Sequence, residues 1–222
     1  MVTPRTCTVI VAAGSGSRFG GALAKQFCLL AGRPMLMHTI DAFRNALPDG
    51  EVVVVLAEAM MGEWQRLCDE YGYTSPRVVA GGDTRWASVR NAIDVIDEAD
   101  IVLVHDAARP LVSADIIARA VAAAAANGAA IPVVPVTDSL RDADGHAVDR
   151  ARFRAVQTPQ AFAIDVIRHA YTLPWQPSFT DDASVAEAAG HPIATTDGHP
   201  TNIKITYPAD LAVAEALMAL QK

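Results

Sequence analysis

The sequence predicts an α/β fold in which helices flank a mainly parallel sheet. Short apolar runs rich in Val and Ile alternate with segments of helical periodicity along most of the chain, a pattern typical of strands that are buried on both faces. Loops of small and charged residues follow several of these runs, at the strand ends where such sheets bind their ligands. With 222 residues, the chain is long enough for one large domain with a substantial core.

Each predicted strand is a short apolar run bounded by small or polar residues, and the strands lie near 7–12, 52–56, 78–80, 101–105 and 129–135. Helices are predicted near 34–46, 62–71, 85–96, 114–126, 164–171 and 208–220. Thr180, Asp181 and Asp182 are typical of the N-cap of a further helix through residue 189, with a metal site as the alternative. The loops after the first, third and fourth strands are then expected to converge at one edge of the sheet.

Residues 137–152 differ in character from the rest of the chain and predict a protruding β-hairpin arm. Asp144-Gly145 lies between two polar, weakly alternating segments, as is typical of a hairpin turn. The segment has few apolar residues, and an isolated hairpin is only marginally stable in water. We therefore expect a partner surface, most simply a second copy of the chain; a solvated excursion is the alternative.

Composition argues against several classes of partner and site. The formal net charge is −7 and no basic cluster is visible, which argues against nucleic acid or an anionic membrane as the main partner. No apolar run reaches membrane-spanning length, and residues 1–5 lack the apolar stretch of a signal peptide. Cys7, Cys28 and Cys68 are scattered and lack C-x-x-C spacing, so we expect reduced thiols in a cytoplasmic protein.

The loop after the first predicted strand is the strongest functional signal. Residues 11–25 (VAAGSGSRFGGALAK) place a run of small residues beside Arg18 and Lys25. Small residues let the backbone approach a ligand closely, and consecutive N–H groups in such a turn attract anions. Two cations beside them suit a polyphosphate whose charge grows during a reaction. A Gly/Ser surface turn with two solvated cations is the alternative.

Two better-known glycine loops do not fit this segment. The dinucleotide-binding fingerprint requires a third glycine at the position of Phe19. The Walker A motif requires a lysine directly after its closing glycine, but Ala22 follows Gly21. The loop therefore predicts phosphate chemistry of another kind.

Further candidate residues follow the fourth predicted strand and precede the last helix. Asp106 and Arg109 suit a metal or hydroxyl group and a phosphate, respectively, with an internal ion pair as the alternative. His105 is expected to be a hydrogen-bonded structural residue. Lys204 lies between two isoleucines, so in an extended strand it would point away from the face on which they pack.

The loop after the third predicted strand suits recognition of a nucleotide base. Its glycine carbonyls, at Gly81 and Gly82, and the hydroxyl of Ser88 in the first turns of the next helix offer polar groups for the edge of a base. The alternative is structural: Asp83 would then cap that helix and interact with its dipole.

An ordered series of motifs extends from the first predicted strand to the last helix. It comprises Ala12-Ala13-Gly14-x-Gly16-x-Arg18, Lys25-Gln26-Phe27, Gly81-Gly82-Asp83-x-Arg85-x-x-Ser88, His105-Asp106-Ala107-Ala108-Arg109-Pro110, Thr158-Pro159-Gln160, Thr180-Asp181-Asp182-Ala183-Ser184 and Asn202-Ile203-Lys204-Ile205-Thr206. Together these motifs closely resemble the 2-C-methyl-D-erythritol 4-phosphate cytidylyltransferases of the non-mevalonate isoprenoid pathway. The departures are Val11 and Ala24, where the family often has proline, and Ser139, where threonine is frequent.

The resemblance implies a Rossmann-like nucleotidyltransferase fold of three layers, with a mainly parallel mixed sheet and a protruding β-hairpin arm. It implies one domain over residues 1–222 and a homodimer joined through the arm at about 137–156. The implied reaction converts CTP and 2-C-methyl-D-erythritol 4-phosphate into 4-diphosphocytidyl-2-C-methyl-D-erythritol and pyrophosphate, with Mg²⁺ as cofactor. The implied partners are CTP and a polyol phosphate.

The resemblance also implies roles for individual residues, position by position. The nucleotide would be bound by Ala12, Ala13, Gly14, Ser15, Gly16 and Ser17 at the triphosphate and by Gly82, Asp83 and Ser88 at the cytidine. Arg18 and Lys25 would stabilise the transition state, and Arg150 and Lys204 would complete the catalytic set. The polyol phosphate would be bound by Asp106, Arg109, Ser139 and Thr158, some of them from the partner's arm. Asp106 is also the candidate metal ligand, with the metal held mainly by the phosphates of CTP.

Other functions remain open at this point. A ribitol 5-phosphate cytidylyltransferase is the nearest alternative, although such enzymes tend to have two glycines where this chain has Ala13-Gly14 and a bulkier residue than Ala108. A non-catalytic nucleotide-binding module is the second, but binding alone does not need both Arg18 and Lys25. A dinucleotide-dependent oxidoreductase is disfavoured by the failed fingerprint.

Overall fold

A central sheet with helices on both faces forms the body of the protein. The computed structural model describes residues 3–14, 19 and 24–220. Within them, the strands are β1 (Thr6–Val11), β2 (Leu29–Leu30), β3 (Arg33–Pro34), β4 (Glu51–Leu56), β5 (Arg77–Ala80), β6 (Ile101–Asp106), β7 (Ala129–Pro135), β8 (Leu140–Arg141), β9 (Ala147–Val148), β10 (Arg154–Val156), β11 (Gln160–Ala163) and β12 (Ala194–Asp197). The α-helices are α1 (Met35–Ala46), α2 (Glu58–Tyr71), α3 (Arg85–Ile93), α4 (Ala114–Asn127), α5 (Ile164–Ala170), α6 (Asp182–Ala188) and α7 (Ala209–Leu220).

The sheet is mixed and mainly parallel, as predicted. Its strand order is β10-β7-β11-β6-β1-β4-β5, with β12 pairing β7. β1 lies between β4 and β6 and is parallel to both, and β4 is parallel to β5. β11 is antiparallel to both of its neighbours, β6 and β7, and β10 is antiparallel to β7. The carboxyl ends of β1, β4, β5 and β6 therefore meet at one edge.

Two apolar layers cover the sheet, one on each face. On one face, α1, α2 and α4 pack against alternate residues of the central strands, including Ile10 and Leu103. On the other face, α3, α5 and α6 pack against the intervening residues, including Val9 and Val104. Because side chains of neighbouring residues point to opposite faces of a strand, the continuous apolar runs of the sequence supply both layers.

The predicted strands are confirmed to within a residue at each end, whereas two helix boundaries were wrong. α2 begins at Glu58, four residues before the predicted start. The sequence did not indicate this start, because the N-cap residue is Ala57, whose side chain cannot make a capping bond. α3 ends at Ile93 rather than at residue 96. The amides of Val95 and Ile96 instead bond to carbonyls three residues earlier, in tight turns that still bury Ile96.

An antiparallel pair of short strands lies where the hairpin was predicted. Leu140 pairs with Val148 and Arg141 with Ala147, and the connecting turn has Gly145 at φ +88°. Asp142 stabilises this turn by accepting the backbone N–H groups of Asp144 and His146. Side chains of this segment are largely exposed.

Candidate active site

A cleft of about 550 Å³ opens at the edge of the sheet where the parallel strands end. The loops that follow β1, β5 and β6 all contribute to its lining, so the predicted convergence of these loops is confirmed. Phe19 and the segments around Lys25 and Lys204 complete the lining in the described part of the chain. Of the predicted nucleotide-binding and catalytic residues, Ser15, Gly16, Ser17 and Arg18 lie outside the described residues.

Two hydrogen bonds to Ala12 fix the start of the loop after β1. The N–H of Ala12 donates to the carbonyl of Val55 on β4 (2.8 Å), so the loop continues the sheet for one more residue. The buried Gln26 donates from Nε2 to the carbonyl of Ala12 (2.7 Å). Gly14 is exposed in the cleft, and no atom of the described residues would lie within 4 Å of a Cβ placed there. The backbone of Ala12, Ala13 and Gly14 therefore faces the cleft, and the position of Ala12 is fixed by these two hydrogen bonds. The sequence analysis did not predict this role for Gln26.

The loop after β5 approaches the loop after β1 so closely that glycine is required. A Cβ at Gly81 would lie 2.5 Å from the Cβ of Ala13, and a Cβ at Gly82 would lie 2.5 Å from the Cβ of Ala87. Ser88 closes the loop, since its Oγ accepts the N–H of Gly82 at 3.1 Å.

The helix that follows this loop is capped by Thr84, not by Asp83. The Thr84 hydroxyl accepts the N–H of Ala87 at 3.0 Å, in N-cap geometry. The capping alternative for Asp83 was therefore wrong. Its side chain is exposed at the cleft instead, beside Gly82 and Ser88.

Asp106 lies at the end of β6 among several positive charges. In the described part of the chain, three cationic side chains lie within 4 Å of its carboxylate: Lys204 at 3.0 Å and Arg109 at 3.3 Å from Oδ2, and Arg85 at 4.0 Å from Oδ1. Burial alone would raise the pKa of Asp106, but Lys204, Arg85 and Arg109 together hold that pKa well below its ordinary value. Asp106 is therefore ionised throughout the physiological range.

Lys204 reaches Asp106 from an irregular segment rather than from a regular strand. Residues 203–206 form no strand because Ile205 bonds to loop groups instead: its N–H donates to the carbonyl of Ala108 and its carbonyl accepts from Nζ of Lys25 at 2.9 Å. Ile203 and Ile205 nevertheless pack in an apolar cluster with Phe19 and Leu30. Lys204 points away from that cluster towards the cleft, as the alternating pattern predicts.

A buried hydrogen-bond network supports Asp106 from behind. Burial lowers the pKa of His105 to about 4, so its imidazole is neutral at physiological pH. Its Nε2 donates to the carbonyl of Arg109 (3.1 Å), and its Nδ1 accepts the hydroxyl of Thr158 (2.9 Å). The Thr158 oxygen in turn accepts the N–H of Asp106 at 3.1 Å. The structural role expected for His105 is confirmed, whereas Thr158, a predicted substrate contact, has its hydroxyl committed to this network.

The remaining candidate residues lie beside the cleft or away from it. Arg109 packs behind Asp106 and donates to the carbonyl of Asn202 at 2.8 Å. Ser139 and Arg150 are exposed in the segment around β8 and β9, and Arg150 donates to the carbonyl of Thr137. A single chain therefore brings Asp106, Lys25 and Lys204 together, but neither Ser139 nor Arg150 is among the described residues that line its cleft.

Two acidic residues at the start of α6 have different roles. Asp181 caps the helix reciprocally with Ser184, so the capping prediction is confirmed. Asp182 is buried and accepts NH1 of Arg85 at 2.7 Å, which places Arg85 at the cleft. The sequence analysis assigned no role to Arg85. Its place in the Gly81–Ser88 motif was the only indication that this residue has a function.

Asp106 is poorly suited to act as the main ligand of a divalent metal in this arrangement. Both of its oxygens face cations, and Mg²⁺ in proteins is commonly held by one or two carboxylates together with substrate phosphates and water. The cleft residues therefore fit a metal that is held mainly by a bound triphosphate.

Comparison with known proteins identifies the family. Residues 6–220 match the family model described as 2-C-methyl-D-erythritol 4-phosphate cytidylyltransferase, IspD. The chain belongs to this family. It is 46% identical over 215 residues to the cytidylyltransferase of that name from Porphyromonas gingivalis, covering 95% of this chain and 96% of the relative. It is 41% identical over 214 residues to that of Bacteroides thetaiotaomicron, covering 95% of this chain and 98% of the relative.

Solved structures of the same family share the fold. The crystal structure of 2-C-methyl-D-erythritol 4-phosphate cytidylyltransferase from Thermus thermophilus superimposes with a TM-score of 0.75 at 36% identity, covering 95% of this chain and 97% of the other. That from Francisella tularensis gives 0.79 at 28% identity, covering 96% and 99%. This chain is therefore a nucleotidyltransferase with the α/β architecture of its family. None of the helices in the described part of this IspD-family chain has the length and hydrophobicity needed to traverse a lipid bilayer.

Proposed function

We propose that the cleft at the ends of β1, β5 and β6 is the site at which this nucleotidyltransferase transfers CMP from CTP to 2-C-methyl-D-erythritol 4-phosphate. The products are 4-diphosphocytidyl-2-C-methyl-D-erythritol and pyrophosphate. The observation that supports the site is the meeting of Lys25, Lys204 and Asp106 beside two backbone loops in one cleft. Such a reaction must bring two phosphorylated compounds together, so positive charge and positioning are what the protein has to supply.

The two loops divide the nucleotide between them in this proposal. Backbone at Ala12, Ala13 and Gly14 faces the triphosphate, because the start of this loop is fixed and offers close approach. Gly82, Asp83 and Ser88 face the cytidine: Asp83 is exposed at the cleft and free of a capping role. Arg18 is assigned to the triphosphate only because it occupies the corresponding position of the sequence motif.

The acceptor needs no general base. Its phosphate monoester has a second pKa of about 6, so it is largely dianionic at neutral pH and its oxygen can attack the α-phosphorus of CTP in line. Asp106 is ionised and holds Lys204 at 3.0 Å. Lys204 and Asp106 then bind the phosphate and hydroxyl groups of the acceptor, with Arg109 supporting Asp106 through their ion pair. Lys25 stabilises the charge that develops on the transferred group.

A divalent cation, Mg²⁺ in our proposal, would neutralise part of the triphosphate charge when it is bound. The phosphates of CTP would hold it, with Asp106 as an additional ligand. The protein groups act beside it: Lys25 and Lys204 add fixed positive charge at the same rim of the cleft.

We further propose that the chain works as one domain and that residues 137–156 form the dimerisation arm. Ser139 and Arg150 are exposed on this segment, and Phe153 and Val156 at its C-terminal end are exposed apolar side chains. In a homodimer, Ser139 and Arg150 would contact the acceptor in the partner's cleft, whereas Thr158 would support Asp106 in its own chain. A cytoplasmic location agrees with three cysteines that are free thiols.

An assay of pyrophosphate release with CTP and Mg²⁺ tests the proposal. The purified protein is given 2-C-methyl-D-erythritol 4-phosphate or ribitol 5-phosphate at equal concentration. We expect kcat/KM for the first to exceed that for the second by about 10² or more, since one polar group left unpaired in a site costs a few kcal/mol. A preference for ribitol 5-phosphate, or CTP binding without pyrophosphate release, would contradict the proposed substrate.

A further inference from the structure

Arg85 connects the cleft to a buried carboxylate behind it. It is the first residue of α3, directly after the N-cap Thr84. Its NH1 lies 2.7 Å from Oδ1 of Asp182 on α6, and its NH2 lies 4.0 Å from Oδ1 of Asp106 on β6. One guanidinium is therefore hydrogen-bonded to Asp182 and lies within ion-pair distance of Asp106 on a separate element.

Asp182 holds Arg85 firmly. The Asp182 side chain is 0% exposed, and its Oδ1 also accepts the hydroxyl of Tyr171 at 2.6 Å. Burial raises the pKa of Tyr171 well above its ordinary value, so the phenol keeps the proton that it donates. Trp86 stacks on Tyr171, with ring centroids 5.7 Å apart, and closes the cluster on that side. A buried carboxylate without a cation is costly, so Arg85 is retained beside it.

The two oxygens of Asp106 are occupied from different directions. Oδ2 interacts with Lys204 and Arg109, whereas Oδ1 faces Arg85. Positive charge therefore faces the carboxylate on both sides. Because Lys204 is bound to Oδ2, any rotation of the carboxylate plane moves the preferred place of the Lys204 ammonium group.

We infer that Arg85 is a positioning residue that acts through Asp106: anchored by Asp182, it orients the Asp106 carboxylate and thereby the ammonium group of Lys204 for the acceptor. The inference rests on the proposed function, because it concerns the acceptor half of that reaction. A planar guanidinium suits this role, since its rigid fork keeps NH2 directed at Asp106 while NH1 donates to Asp182.

Steady-state kinetics of a double-mutant cycle test the inference, with the methylerythritol phosphate as the acceptor. Arg85→Gln, Asp106→Asn and the double variant are compared with the native protein for kcat and for the acceptor KM, and Kd for CTP is measured by calorimetry. We expect Arg85→Gln to raise the acceptor KM about tenfold with little change in Kd for CTP. In the Asp106→Asn background the same substitution should change the acceptor KM by less than about twofold, since its effect passes through Asp106.

Two further variants keep the test decisive. Arg90→Gln removes an arginine from the same helix at an exposed position over the Trp86 ring, so it should leave the acceptor KM unchanged. If Arg85→Gln does not fold, the paired variant Arg85→Gln/Asp182→Asn removes both charges of this ion pair together and should show the same rise in the acceptor KM.

The possible results separate cleanly. Equal effects of Arg85→Gln in both backgrounds would show a direct substrate contact and overturn the inference, as would an unchanged acceptor KM. A matching loss of CTP affinity would show a general structural role and would also overturn it. Failure of the proposed function appears differently, as native protein that releases no pyrophosphate with this acceptor.

Discussion

The stability of the protein in mild acid is expected to depend on His105. This residue is completely buried, and its ring packs edge-on against Phe43 with centroids 4.8 Å apart. Both ring nitrogens are used in neutral form, one as a donor to the carbonyl of Arg109 and the other as an acceptor from Thr158. A proton added to Nδ1 would break the bond from Thr158 and would place a charge in the core, close to Arg109.

The size of the effect follows from two pKa values. The folded protein has a His105 pKa of about 4, whereas an unfolded histidine has a pKa of about 6.5. Between these values the unfolded chain binds a proton that the folded protein does not, so the free energy of unfolding rises with pH across this window. The stabilisation is complete above about pH 6.5 and is lost as the pH falls towards about 4. A difference of roughly 2.5 units corresponds to about 3 kcal/mol as an upper figure.

Urea unfolding followed by tryptophan fluorescence measures this effect, with His105→Gln as the perturbation. The native protein should lose about 2 kcal/mol more than the variant between about pH 6.5 and 4.5, since this window covers only part of the interval between the two pKa values. His38 also has a pKa lowered by burial, but it is present in both proteins and cancels in the difference. Asp106 has a depressed pKa, so its contribution is lost only below the unfolded value of about 3.9, outside this window. Parallel pH profiles for the two proteins would refute the reasoning.

Three further predictions concern the cleft and the arm. Lys25→Ala should lower kcat by ~10²–10³ with a smaller change in Kd for CTP, as for loss of one transition-state contact; near-normal turnover would remove Lys25 from the catalytic set. Arg150→Ala should mainly raise KM for the polyol phosphate, whereas Arg152→Ala in the same exposed turn should not. If Arg150→Ala had the same KM as the native protein, Arg150 would be excluded from the site. Gly81→Ala should weaken CTP binding and cost roughly 1–3 kcal/mol on thermal or urea unfolding, because its Cβ would lie 2.5 Å from the loop after β1. Gly62→Ala is the matched control and should be neutral or stabilising, because Gly62 is exposed in α2 and an added Cβ would meet none of the described residues within 4 Å.

Local patterns were sufficient for the strands that form the middle of the sheet. β1, β4 and β6 are continuous apolar runs that supply both core layers, so their character is visible without knowing their neighbours. β11 and β12 were not predicted. β11 has only four residues, Gln160–Ala163, and is a strand because it fits between β6 and β7. β12 has the sequence Ala-Thr-Thr-Asp and is a strand because it pairs with β7.

Small and charged residues at the strand ends were enough to predict one cleft, because parallel strands necessarily bring their carboxyl ends to the same edge. The motif pattern also identified Lys25, Asp106 and Lys204 as members of it. The sequence alone therefore determined the fold class, the family and the region where the chemistry is expected.

Only the tertiary structure decided how the charges are paired. Asp182 lies 97 positions from Arg85 along the chain, yet the two are 2.7 Å apart. The commitment of Thr158 to His105 and the capping of α3 by Thr84 rather than Asp83 were likewise decided there. The reason is physical: hydrogen bonds and buried ion pairs depend on distances of a few ångströms, and those distances exist only once the helices have packed on the sheet.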